Sequence, residues 1–260
     1  CEWLKTWIDF NTEKRKLATN EFEKDLFKLM NNAVFGKTME DVRSHQDFEL
    51  VDNIKRLEKC LNNPTLKNRH IINDNLVGVE KIKAVVKLNK PIYVGMAILD
   101  LSKLHMYNFY YEVLKPKYGE NIKLAYTDTD SFVRHTETND IYDDFKTISK
   151  YMDFSDYPTG HHLHNHTNKK RLGCFKDEVN GKIISEFVGL KPKMYAMRLD
   201  DGGQEKKAKG IPKQIVKKEL NFDSYKRTLE DTNCKKQYVQ FNCIRSKNHQ
   251  IYSLTCNKAG

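Results

Sequence analysis

The sequence predicts an α+β fold, in which an antiparallel sheet is backed by helices. Two stretches, residues 12–42 and 92–114, carry apolar side chains at the three-to-four-residue spacing of an amphipathic helix. Short strand-like runs separated by turn signals follow the second stretch, as in 122–126 and 131–133. Apolar residues make up 39% of the 260-residue chain, which has 12 Gly and 6 Pro, and this composition excludes disordered and collagen-like classes.

The first half of the chain combines helices with a small set of strands. Predicted helices lie at 12–42, 54–61 and 92–114, and predicted strands at 48–51, 70–72 and 83–86. Pro91 suits the first turn of the third helix, and Pro116 together with Gly119 is expected to end it.

The second half is richer in strands. We expect strands at 122–126, 131–133, 173–179, 183–188, 194–199, 238–244 and 250–254, and helices at 141–152 and 222–229. Residues 156–170 form a loop rich in His and Asn, and 200–203 form a hairpin turn. The composition becomes densely basic over 206–218, so we place a domain boundary near Gly203.

Charge and hydropathy narrow the functional class. The chain has 45 Lys and Arg against 35 Asp and Glu, a formal net charge of +10, which favours either a polyanionic partner or a solubilising surface. No apolar run approaches the ~18 residues of a membrane span, and no leader pattern is visible, so we expect an intracellular, non-secreted protein without membrane contact. The six cysteines form no C-x-x-C pair and are predicted to be reduced thiols.

The most informative segment is the predicted hairpin tip Tyr126-Thr127-Asp128-Thr129-Asp130-Ser131. Two carboxylates two residues apart, with a tight turn between them, can converge on a divalent cation such as Mg²⁺, which prefers carboxylate oxygens. The alternative is an Asx-type turn, in which each Asp side chain accepts hydrogen bonds from nearby backbone N–H groups.

This hexapeptide resembles the Y-x-D-T-D-S signature of family B DNA polymerases. The resemblance implies that Asp128 and Asp130 are catalytic metal ligands on a polymerase palm, with two Mg²⁺ ions as cofactors, for which Mn²⁺ can substitute. It also implies DNA contact by Thr129 at the same tip. A reverse transcriptase, which usually has adjacent acids in Y-x-D-D, matches Asp128-Thr129-Asp130 less well.

A second segment, Lys28-Leu29-Met30-Asn31-Asn32-Ala33-Val34-Phe35-Gly36, resembles the fingers-helix motif K-x-x-x-N-S-x-Y-G of the same family. Lys28 and Asn32 are i, i+4 neighbours on a helix, and the resemblance implies that they bind the nucleotide together with Phe35. Phe35 stands where the family has Tyr, so it keeps the stacking surface and lacks the hydroxyl. The alternative is an ordinary amphipathic helix.

A second triphosphate-binding cation is implied upstream of Lys28. Arg15 and Lys16 are both candidates, and the spacing does not choose between them. The alternative is a solvated charge cluster at residues 13–16.

A third segment, Lys191-Pro192-Lys193-Met194-Tyr195, resembles the K-x-Y element that grips the primer. In an extended strand residues i and i+2 share a face, so Lys193 and Tyr195 are expected to bind the same DNA strand. Further strings at 31–40, 99–103 and 175–178 resemble the protein-primed branch carried by viruses and self-synthesising DNA transposons.

The resemblance divides the chain into a fingers helix at 1–45, a palm at 46–203 and a truncated thumb at 204–260. The expected function is template-directed addition of dNTPs to a primer 3′-hydroxyl, with primer–template DNA, dNTP and a terminal priming protein as partners. The expected location is the nucleus or a viral replication site. The basic segment 206–218 is then a thumb surface facing duplex phosphates, the alternative being a solvated face.

One family motif, D-x-x-S-L-Y-P with its metal-bridging Asp, does not occur in the sequence. We therefore expect the chain to be cut from a longer polymerase and to be inactive by itself. The alternative from another class is a non-catalytic DNA-binding remnant of a mobile element. The cluster His161-His162-Leu163-His164-Asn165-His166 is interpreted as a polar loop, with a zinc site as its alternative.

Overall fold

The computed structural model describes residues 2–231, 236–247 and 250–259. The fold is α+β with antiparallel sheets, as predicted. Its contacts divide the chain into two compact units, the first built from 1–33, 96–239 and 257–260 and the second from 34–95 and 240–256. The division into fingers, palm and thumb at 1–45, 46–203 and 204–260 is based on resemblance and stays a prediction.

The N-terminal region contains two helices where the periodicity predicts one. Helix α1 spans Glu2–Leu17 and α2 spans Glu21–Thr38. The break occurs because the Asn20 side chain accepts a hydrogen bond from the Glu23 backbone N–H at 2.8 Å and so starts a new helix. The Trp7 indole N–H donates to the Met30 carbonyl at 3.4 Å, which places the two helices side by side.

The second long helix is confirmed and extends further than predicted. Helix α4 spans Ile92–Asn108 and continues through a π-helical segment, Phe109–Leu114, into the short α5, Lys115–Tyr118. Pro116 is tolerated at the start of α5, and Gly119, with φ at +57°, ends the helix.

Two antiparallel sheets of the first unit position the candidate site. Strands β4, Ile122–Asp128, and β5, Ser131–Thr136, form the predicted hairpin. Strands β6, Ile184–Lys191, β7, Met194–Leu199, and β8, Gln204–Ala208, form a meander in the order β6–β7–β8. These pairings confirm the predicted strands at 183–188 and 194–199.

The predicted strand at 173–179 is wrong. Among its residues only Phe175 pairs, in a single bridge to Met152. The Asp177 carboxylate accepts hydrogen bonds from the backbone N–H groups of Val179 at 3.0 Å and Gly181 at 2.9 Å, and this turn replaces a strand.

Helices and aromatic residues complete the first unit. Helix α6 spans Ile141–Thr147, α7 spans Lys213–Glu219 and α8 spans Phe222–Glu230. The helix predicted at 141–152 is shorter than expected and is followed by a 3₁₀ turn at Ser149–Tyr151. The core contains Phe109, Leu114, Tyr118, Ile122, Phe145, Ile148, Met152, Phe154, Tyr157 and Leu163.

Within the second unit, residues 47–81 form a three-stranded sheet and one helix. Strands β1, Asp47–Val51, β2, Leu66–Asn73, and β3, Leu76–Lys81, have the order β1–β3–β2, and α3 spans Ile54–Leu61. Val51, Cys60 and Val79 form its core. The strand predicted at 83–86 is wrong, because the ladder ends at Lys81 and the central strand is the preceding segment.

The C-terminal strand pair is confirmed and is longer than predicted. Strand β9 spans Tyr238–Lys247 and β10 spans Gln250–Ala259. Within the part of the chain that the structure describes, no helix combines the length and the apolar character needed to cross a membrane.

Candidate metal and nucleic-acid site

The acidic tip is a tight turn in which two residues, Thr129 and Asp130, connect β4 to β5. Asp128 is the last residue of β4 and lies opposite Ser131, and the Asp130 backbone N–H donates to the Asp128 carbonyl at 2.6 Å. Thr129, at the centre, has a φ of +52°, a value that β-branched residues rarely adopt. A backbone hydrogen bond over two residues with a positive φ between them is the pattern of a γ-turn, which is strained.

Neither carboxylate of the tip is used to cap the backbone. Asp128 is half-buried and Asp130 is exposed, and in the described residues neither side chain accepts from a backbone N–H. In the described residues, the Asp128 carboxylate accepts a hydrogen bond from the Thr129 hydroxyl on Oδ1, at 3.4 Å, and forms an ion pair with a lysine ammonium through Oδ2. The Asx-turn alternative requires backbone caps on these carboxylates, as Asp140 makes at α6, so it does not describe this turn.

The lysine at Asp128 is Lys193, from the K-x-Y segment. Its Nζ lies 3.4 Å from Asp128 Oδ2. The Lys193 backbone N–H donates to the Tyr126 hydroxyl at 2.9 Å, across 67 residues of sequence. Two of the recognised segments, the hairpin tip and the K-x-Y element, therefore meet through one side-chain ion pair and one hydrogen bond.

Lys193 reaches this position from a turn, which corrects the strand geometry predicted for it. Lys193 has a φ of +60° and lies with Pro192 between the paired residues Lys191 and Met194. Only Tyr195 lies in β7. The expectation that both residues share one strand face is thus wrong, because the left-handed conformation at Lys193 turns its side chain independently of the strand alternation.

Three aromatic rings pack beside this ion pair. The centroids of Tyr126 and Tyr195 are 4.9 Å apart, and Phe187 lies 6.0 Å from Tyr126 and 5.8 Å from Tyr195. Burial raises the pKa of Tyr195, and the nearby Tyr126 and acids including Glu205 act in the same direction, so its hydroxyl stays a neutral donor. Sequence reasoning assigned no role to Tyr126 or Phe187, although Tyr126 belongs to the hexapeptide.

The three fingers residues lie along α2. Lys28 and Asn32 are exposed, and Phe35 is half-buried. The helix therefore presents a cation and an amide to solvent one turn apart, as the spacing predicts. In the described residues, neither Lys28 nor Asn32 forms a hydrogen bond or ion pair with the acidic hairpin.

The environments of Arg15 and Lys16 differ. Lys16 pairs with Glu13 at 2.8 Å on the same helix. The Arg15 Nε is buried and has no hydrogen-bond partner in the described residues, while its carbonyl accepts from the Lys170 ammonium at 2.9 Å. Burial lowers the pKa of Lys170, and the positive charges of Arg15, Lys24 and Lys169 lower it further. Arg15 thus belongs to a group of cations that sequence spacing alone could not reveal.

The lysines of the basic segment 206–218 are exposed, with one exception. The Lys206 ammonium donates to the carbonyls of Leu220 at 2.6 Å and Lys217 at 3.4 Å, so it stabilises the end of α7. The remaining lysines of the segment are exposed: Lys207, Lys209, Lys213, Lys217 and Lys218.

The His-rich loop is held by ring stacking. His161 stacks on Tyr157 at 4.4 Å and on His162 at 4.7 Å, and a ring nitrogen of His164 hydrogen-bonds the Tyr157 carbonyl at 2.8 Å. Tyr157 and Leu163 are buried, so the loop is packed on the core. Within the described ranges, no group of three or more His, Cys, Asp or Glu side chains converges to hold a metal ion.

Comparisons of the chain with protein-family models, with curated proteins and with solved structures found no match. The function is therefore inferred from the residues and their contacts. Of the sequence-predicted residues, Asp128, Lys193 and Tyr195 are brought together, with Asp130 in the same turn.

Proposed function

We propose that the chain is the fingers, palm and thumb portion of a family B DNA polymerase, which adds dNTPs to a primer 3′-hydroxyl under template direction. The observation that carries the proposal is the contact between Lys193 and Asp128, at 3.4 Å. Two segments that resemble separate motifs of one enzyme family would meet by chance in few folds. Their meeting at the Asp128 carboxylate supports a common role for the two segments.

The donor set at the tip suits a hard divalent cation. Asp128 and Asp130 offer carboxylate oxygens that no backbone N–H of the described residues occupies, and the Lys193 ammonium already lies beside Asp128. Bound there, Mg²⁺ or Mn²⁺ would supply activation of the primer hydroxyl and stabilisation of charge on the pyrophosphate leaving group. Thr129, whose φ of +52° is strained for a β-branched residue, lies between the two acids.

Lys193 and Tyr195 are proposed to hold the primer end. Because Lys193 lies beside an acid that a metal would neutralise, metal binding would release its ammonium to a primer phosphate. Tyr126 acts as a positioning residue, since its hydroxyl accepts from the Lys193 N–H and its ring contacts Tyr195. Thr129 is proposed to contact DNA from the exposed tip.

Lys28 and Arg15 are proposed to bind the triphosphate, with Asn32 and Phe35 shaping the nucleotide pocket. Arg15 is favoured over Lys16 because its guanidinium has no carboxylate partner in the described residues, whereas Lys16 is neutralised by Glu13. An anionic phosphate would also reduce the repulsion among Arg15, Lys24 and Lys170.

The same proposal implies two further partners, primer–template DNA and a terminal priming protein. It also implies that the protein acts at an intracellular replication site. The two-metal reaction of this family uses a third carboxylate, so the 260-residue chain is expected not to incorporate dNTPs by itself.

The test is primer extension by a polypeptide that joins a segment carrying D-x-x-S-L-Y-P upstream of this chain. We expect Asp130→Asn to reduce incorporation by at least about 10³-fold, because it removes a metal ligand, and to leave primer–template affinity within about twofold. Incorporation is measured by gel electrophoresis and affinity by fluorescence anisotropy.

Asp200→Asn is the matched control, since Asp200 is an exposed acid in the turn between β7 and β8. It should leave both quantities unchanged. Unchanged incorporation in Asp130→Asn would remove the acidic tip from the mechanism. DNA binding without any incorporation by the unsubstituted polypeptide would favour the non-catalytic DNA-binding alternative.

A further inference from the structure

Two cysteines of the C-terminal hairpin face each other across its strands. Cys243 of β9 and Cys256 of β10 have their Sγ atoms 3.2 Å apart. The neighbouring residues Asn242 and Thr255 hydrogen-bond side chain to side chain at 2.9 Å. Because successive side chains in a strand point to opposite faces, the two thiols share the face opposite to this polar pair. Both thiols are partly exposed.

We propose that Cys243 and Cys256 are a redox modification site, which closes to a disulfide and fastens the β9–β10 hairpin. A disulfide has its sulfurs about 2.0 Å apart, so closure requires a movement of about 1 Å, within reach of side-chain rotation.

The reaction is thiol–disulfide exchange with a small-molecule disulfide such as oxidised glutathione. One cysteine, as thiolate, attacks the glutathione disulfide and forms a mixed disulfide, and one glutathione thiolate leaves. The second cysteine, also deprotonated, attacks the protein sulfur of the mixed disulfide, and the second glutathione thiolate leaves. In total two protein thiols are oxidised, one disulfide is reduced to two glutathione thiols, and the two protons pass from the cysteines to the glutathione.

Two other described cysteines are placed differently. Cys60 is buried in the second unit, with its Sγ 3.8 Å from a Glu49 carboxylate oxygen. Cys174 has its Sγ 4.0 Å from the Lys150 carbonyl, and burial raises the pKa of its thiol. Neither has a second sulfur beside it among the described contacts.

The hairpin is an element that a covalent link would stabilise. Strands β9 and β10 form a two-stranded sheet in the described part of the chain, and such sheets are marginally stable alone. Val239 and Phe241 are buried at the start of β9, whereas Ile244 and Ile251, nearer the turn, are exposed, so packing fixes the register less firmly at the turn end of the hairpin. The link would fix which residues of the two strands are opposed.

The experiment treats the purified 260-residue chain with oxidised glutathione, blocks remaining thiols by alkylation, and digests without reduction. Trypsin releases Cys243 in peptide 237–245 and Cys256 in peptide 248–258. We expect mass spectrometry to find these two peptides joined, two hydrogens lighter than their sum, and separated by dithiothreitol. Cys243→Ser and Cys256→Ser should each abolish the product, and the matched Cys174→Ser variant should retain it.

Two comparisons decide the proposal. The folded chain should give several-fold more of this product than the chain in concentrated urea; equal yields, or predominant links to Cys234 in peptide 228–235, would overturn it. Amide hydrogen exchange of the hairpin peptides should slow several-fold on oxidation in the unsubstituted chain and not in Cys243→Ser. Equal exchange rates before and after oxidation would contradict the fastening role.

Discussion

At the scale of single residues, Thr129 shows a local conflict between sequence and conformation. A β-branched residue disfavours a φ of +52°, whereas Asn adopts positive φ readily. We expect Thr129→Asn to raise the free energy of unfolding by about 1 kcal/mol, because it removes strain from the turn. Urea unfolding followed by circular dichroism measures the change.

Thr127→Asn is the control for this prediction. Thr127 is exposed in β4, opposite Phe132, where β-branched residues are favoured, so Asn there should lower the stability by up to about 1 kcal/mol. If both variants shift the unfolding midpoint in the same direction, the effect of Thr129→Asn does not come from its backbone angle.

The sequence could predict the acids of the site and could not predict how they are held. Asp128 and Asp130 are recognisable because two carboxylates between strand-like flanks form a local pattern. The hydrogen bond from Lys193 to Tyr126 spans 67 residues, and the positive φ of Lys193 depends on the turn between β6 and β7. Local patterns carry no information about such long-range contacts.

At the scale of elements, Glu49 links β1 to β3 and to α3. Its carboxylate accepts two hydrogen bonds from Arg56, at 2.6 and 2.9 Å, and one from Lys81 at 2.6 Å. The hydrogen bonds from Arg56 and then Lys81 lower the pKa of Glu49 from 4.5 to about 2. A depressed carboxyl pKa contributes stability that is complete above pH 4.5 and is lost as the pH falls through about 2.

We therefore expect Glu49→Gln to lower the thermal unfolding midpoint at pH 7 and to have progressively less effect from pH 4.5 down to about 2. Circular dichroism at a series of pH values measures the difference between the two proteins. Glu58→Gln on α3 removes the same charge and is the control, and Glu49→Gln should lower the unfolding midpoint at pH 7 by more than this control does. A Glu49→Gln difference that is constant with pH would contradict the assigned pKa.

The errors in the predicted elements have local causes. Apolar spacing runs through residues 12–42, and the cap by Asn20 interrupts it because a side-chain acceptor competes with helix continuation. The strand predicted at 83–86 contains the β-branched residues Val85 and Val86, which favour a strand. The Asn73-Asp74-Asn75 segment is the turn that matters here, because the Asn73 side chain accepts from the Asn75 N–H at 2.9 Å and the flanking segments pair as β2 and β3.

At the scale of the whole molecule, the two units are assembled from segments far apart in sequence. The second unit joins 34–95 to 240–256. Periodicity and turn signals describe neighbours along the chain, so they predict the strand pair at 238–254. They do not indicate which of the two units this strand pair belongs to. Likewise, the net charge of +10 indicates that the protein attracts polyanions but does not locate the surface that binds them.

The exposed lysines of α7 form a surface on which binding to DNA phosphates can be tested. Each Lys that neutralises a DNA phosphate contributes about −0.9 to the slope of log affinity against log salt concentration. Lys213 and Lys217 are exposed and one turn apart on α7, so we expect Lys213→Gln/Lys217→Gln to make the slope for primer–template DNA shallower by about 2. Fluorescence anisotropy titrations at several salt concentrations measure this slope.

The control is a double Gln variant of Lys55 and Lys59, which have the same spacing and are exposed on α3. It has the same net charge as the α7 variant. Equal slopes for the two double variants would show that total charge, and not the surface of α7, governs DNA binding.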